Sequence, residues 1–61
     1  MTEFLDQLRH RVRNALDELE QARATGDDYR IQVHTGELES FARLAESHGV
    51  ALRELDGFSP A

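Results

Sequence analysis

Leu5, Leu8, Val12, Ala15, Leu19 and Ala22 recur at alternating spacings of three and four residues, a pattern sustained for three heptads. A strand places successive side chains on opposite faces and would scatter these six; an α-helix gathers them into one stripe. Phe4 and Leu16 widen that stripe on its two sides. Thr2 and Glu3, followed by Asp6, supply a cap and an acidic first turn, which suit the positive end of a helix dipole. The spacing therefore predicts a helix over about residues 2–25.

The stretch "TGDD" interrupts the period. Gly26 suits the left-handed position past a helix end, and Asp27 or Asp28 suits the cap of the next helix. From Leu38 onward, Leu38, Phe41, Ala42, Ala45 and His48 again form a helical stripe that Leu44 broadens, and "SHGV" closes it with Gly49 as a left-handed cap. Between the two lies an ambiguous segment. Tyr29, Ile31 and Val33 alternate as in a strand, and Gly36 weakens a helix by about 1 kcal/mol. A strand over "YRIQVH" would need "VALREL" as a parallel partner, leaving exposed edges and little core. Ile31 falls on the heptad extended backwards from Leu38, which favours one helix over about residues 28–48 while residues 29–34 stay open to a strand.

Two helices joined by so short a turn at residues 26–27 run antiparallel. The expected fold is thus all-α, a two-helix hairpin in a single domain over residues 1–61. Residues 50–61 form a tail in which "VALREL" adds a short turn or strip over the open end and "DGFSPA" frays. A chain of 61 residues with no cysteine has neither a disulfide nor a cysteine-built zinc site to support a small core. Phe4 and Leu16 on the first helix, and Ala42 and Leu44 on the second, lie outside the seam between the helices. A dimer that becomes a four-helix bundle would bury them, and these four residues are the expected interface.

"RHRVR" at residues 9–13 is the one burst of positive charge in a chain of net charge −5. On a helix Arg9 and Arg13 share a flank while Arg11 points nearly the opposite way, so the three do not form one patch. Asp6 and Asp17 lie at helical spacing to Arg9, His10 and Arg13, and Glu37 comes within reach of Arg11 across the hairpin. The segment reads as a charge-balanced face. All seven basic residues are arginine, which reads as the codon bias of a GC-rich genome.

His34 and His48 are about 21 Å apart along a helix and cannot share an ion, and no histidine pair has the spacing of four that a helical metal site uses. The histidines are expected partly buried at the edge of the stripe. Glu37 and Glu39 diverge by about 200° and form no acid–base dyad. No nucleophile stands with a base and an orienting group. The sequence thus predicts no enzyme, no cofactor and no metal. An acidic total disfavours a nucleic-acid partner, and no apolar run reaches the length of a membrane span. With no signal-peptide pattern at the amino terminus, the expected location is cytoplasmic.

Residues 22–50, "ARATGDDYRIQVHTGELESFARLAESHGV", resemble the second half of a group of small uncharacterised helical proteins of actinobacteria. The likeness rests on Gly26, Asp27, Leu44, Ala45, His48, Gly49 and Val50, and implies a helical hairpin without implying an activity. The function expected from the residues is a small homodimeric helical module for protein–protein interaction. The alternative is a nucleic-acid-associated regulator using the Arg9–Arg13 segment.

Overall fold

The computed structural model describes residues 3–58. Helix α1 runs Glu3–Thr25, helix α2 runs Asp28–Ser47, and a 3₁₀ helix follows at Arg53–Phe58. Among the described residues there is no strand. Thr2, expected as the first cap, and Ser59–Ala61 of the expected fraying tail lie outside the described residues.

The turn between the helices is built by two residues in two different conformations. Gly26 takes φ +70°, a region costly to a side chain, and its N–H donates to Arg23 O while that of Asp27 donates to Ala22 O. Asp27 is extended, and its carboxylate accepts the N–H of Arg30, so it closes α1 and caps α2 at once. The second end repeats the device. The Gly49 N–H donates to Glu46 O and the Val50 N–H to Ala45 O, with Gly49 at φ +68°. This cap turns the chain back over the hairpin.

Tyr29, Ile31 and Val33 are helical, which removes the strand alternative. On the helix only Ile31 reaches the core, while Tyr29 and Val33 face outward. The Asp27 cap and the continuous stripe outweigh the small helix penalty of the β-branched residues. Gly36 sits inside α2 with nothing within 4 Å of where a Cβ would stand, so no close helix crossing explains it. Gly49→Val is therefore expected to destabilise by about 1–2 kcal/mol, because the cap needs the left-handed region. Gly36→Ala is expected to stabilise by about 0.5–1 kcal/mol. Urea unfolding of both variants checks the contrast; a destabilised Gly36→Ala would contradict an open helix interior.

The seam forms as the spacing predicts. Leu8, Val12, Ala15, Leu19 and Ala22 of α1 are buried, with Leu38, Ala42 and Ala45 opposite them on α2. Ala42, expected outside the seam, is inside it: one residue further round the helix from Phe41, it faces α1 while Phe41 only flanks the core. In the tail the expected short turn forms as the 3₁₀ helix Arg53–Phe58, which also takes in residues 56–58 of the stretch expected to fray. What the spacing did not predict is that Leu52 and Leu55 enter the same core, at 5% and 4% exposure. The reason is volume. Ala15, Ala42 and Ala45 let the helices approach but fill little space, and the leucines supply the missing apolar bulk.

Candidate interaction surfaces

The tail divides the surface of the hairpin into two unlike flanks. Arg13 and Phe4 are nine residues apart on α1, about 180° round the helix. The tail reaches the Arg13 side, where Arg13 Nε lies 3.5 Å from Glu54 Oε2. The Phe4 side receives no such cover from Leu52 or Leu55.

On that open flank Phe4 is 41% and Leu44 39% exposed, unusual for two large apolar side chains side by side. Together with Leu8, Phe41, Gln7 and Arg11 they line a shallow recess of about 160 Å³. The Phe4 ring lies against that of His48, with centroids 4.6 Å apart and planes tilted by 32°. Of the four residues expected at an interface, these two are brought together. Leu16 is not with them: twelve residues from Phe4, it lies about 120° away and packs, half-buried, against the core. Ala42 is buried within the chain and presents almost no surface.

Next along the same flank, His34 lies between the two helices. Its Nδ1 lies 2.8 Å from Glu37 Oε1, which places the proton on Nδ1 because a carboxylate only accepts. Its Nε2 lies 3.9 Å from Glu18 Oε1 on α1, and the side chain is only 12% exposed. The hydrogen bond to Glu37 thus lies within α2, and the approach to Glu18 is a longer contact across the seam. His10 and His48 are exposed rather than partly buried; His10 Nε2 meets the Asn14 side chain at 3.3 Å, and His48 Nδ1 lies 3.0 Å from Leu44 O. Among the described residues, no group of three or more His, Asp or Glu is arranged to hold a metal ion.

The opposite flank gathers what the sequence kept apart. The tail brings Arg53 to Arg9 and Arg13, and with Ala51 and Glu54 they line an open recess of about 700 Å³. Arg13 takes its carboxylate from Glu54 rather than from Asp17, the partner its helical spacing offered. The Glu54 carboxyl is held below its ordinary value, chiefly by its own backbone N–H; burial opposes this, and Arg9 and then Arg13 add lesser lowering effects. Periodicity within α1 predicts the pairing of Arg9 with Arg13 on one flank. No local signal predicts Arg53, because its position depends on how the chain folds back after Gly49.

No known protein family, curated protein or solved structure matches this chain. Among the described residues no helix is long and apolar enough to cross a membrane.

Proposed function

We propose that the chain is a small cytoplasmic helical module for protein–protein interaction, working as a homodimer in which two hairpins form a four-helix bundle. The observation that carries this reading is the Phe4–Leu44 face. Two large apolar side chains stand exposed over a recess floored by Leu8 and Phe41, on the flank away from the Arg13–Glu54 contact. Each gains roughly 1.5–3 kcal/mol on full burial. Leu8 belongs to the core and lines this recess, so the face lies over the core and a second layer would complete it. A second copy fits because the face carries both signs of charge, Arg11 beside Glu18 and Glu37, and two copies about a twofold axis offer each other opposite partners.

The test is sedimentation equilibrium with circular dichroism over a range of concentrations. A dimer is expected at about 100 μM, with a thermal midpoint that rises with concentration. Phe4→Glu with Leu44→Glu is expected to give a monomer, because each places a charge in the interface. Leu16→Glu lowers stability at any concentration, since Leu16 faces elsewhere. A wild-type chain that stays monomeric at about 100 μM overturns the dimer.

A second reading, a nucleic-acid-associated regulator working through Arg9–Arg13, is favoured by the arrival of Arg53 beside that pair. The net charge of −5 and the Glu54 carboxylate inside the recess weigh against it.

A further inference from the structure

We propose that the recess between α1 and the tail binds an acidic segment of a protein partner, with Arg9, Arg13 and Arg53 holding its carboxylates. Arg9 and Arg13 stand one turn apart on one flank of α1, and Arg53 reaches them as the first residue of the 3₁₀ helix. Guanidinium groups present paired N–H donors that match the two oxygens of a carboxylate. The recess already shows which chemistry it accepts, since the Glu54 carboxylate sits 3.5 Å from Arg13. Among the described residues that line it, three cations face that single anion, and the Arg13 side chain remains 68% exposed. The surplus positive charge has room for a further carboxylate.

The partner's form follows from the surroundings. An acidic total of −5 repels a long polyanion, and Asp6 stands with Arg9, His10 and Arg13 along the adjoining surface. A short acidic stretch meets the local field of the arginines and little of the repulsion beyond it. Glu54 is then an internal competitor that occupies Arg13 until a partner carboxylate replaces it. This names the partner chemistry for the protein-interaction reading. It uses the flank opposite Phe4, so the dimer and this site can fail independently.

The experiment is fluorescence anisotropy of the full chain with a fluorescein-labelled peptide of alternating Glu and Gly. It is run at about 20 mM and again at about 150 mM salt, where screening differs most for exposed charges. Saturable binding at low salt is expected, weakened by salt. Arg9→Gln and Arg53→Gln, both on the surface, are each expected to weaken it about two- to five-fold. Glu54→Gln is expected to tighten it by a similar factor, with circular dichroism showing that each variant keeps its helices. No saturation by about 1 mM peptide overturns the site. So does equal affinity of the wild type and the Arg9→Gln, Arg53→Gln double variant, or weaker binding by a folded Glu54→Gln. Tighter binding of a fluorescein-labelled random duplex DNA than of the peptide overturns it in favour of a nucleic-acid surface.

Discussion

Replacing Leu52 and Leu55 together by serine is expected to unfold the whole chain, not merely to release its last dozen residues. The seam between α1 and α2 is rich in alanine: α2 contributes one large fully buried side chain, Leu38, beside Ala42 and Ala45. Leu8, Val12 and Leu19 of α1 therefore depend on bulk from elsewhere, and Leu52 and Leu55 join the same core cluster. Losing a buried leucine costs about 2–5 kcal/mol. A chain of 61 residues has a total stability of only about 3–9 kcal/mol at the usual 0.05–0.15 kcal/mol per residue. Two such losses exceed most of that range. Far-UV circular dichroism at low temperature checks it, with loss of most of the helical signal expected. A double variant with a full helical spectrum and a wild-type urea midpoint would show that the tail is a passenger on a self-sufficient hairpin.

Leu38→Ala is expected to cost about 2–5 kcal/mol at every protein concentration, because Leu38 is fully enclosed within one chain and no relaxation of the surface fills the cavity. Leu44→Ala forms the contrast. Leu44 is half open to water, so in a dilute monomer its truncation is expected to cost no more than about 0.5 kcal/mol. Under the proposed dimer the cost of Leu44→Ala rises with concentration, as association covers the side chain. Urea unfolding of both variants at two concentrations reads these terms separately. Equal, concentration-independent losses for the two leucines would contradict both the core assignment and the dimer face.

The elements whose cause is local were legible in the residues. The stripe from Leu5 to Ala22 specifies α1, and each glycine at a positive φ lies where a helix was expected to end. Asp27 serves as the cap that its type and position suggested. Along residues 29–34 the local signals conflicted, since alternation and β-branching favour a strand while the extended heptad favours a helix. Burial of Ile31 against α1 resolves that conflict in favour of the helix.

The candidate surfaces were legible only in part, for the same reason. Phe4 and Leu44 follow from their angles outside the stripe, whereas Ala42 was assigned to the wrong side of the seam. Helical spacing gives directions within one element but not the rotation of that element against its neighbour, which packing alone sets.

The sequence by itself determined two helices, their order, the caps at Gly26, Asp27 and Gly49 and the antiparallel sense of the turn, all consequences of contacts within a few residues. Only the tertiary structure decided that the tail enters the core, that Arg53 and Glu54 meet Arg9 and Arg13, and that one flank is covered while Phe4 and Leu44 stay open. Those outcomes join residues some forty positions apart. They are decided by which apolar volume fills an alanine-rich seam, a long-range competition that no local period encodes.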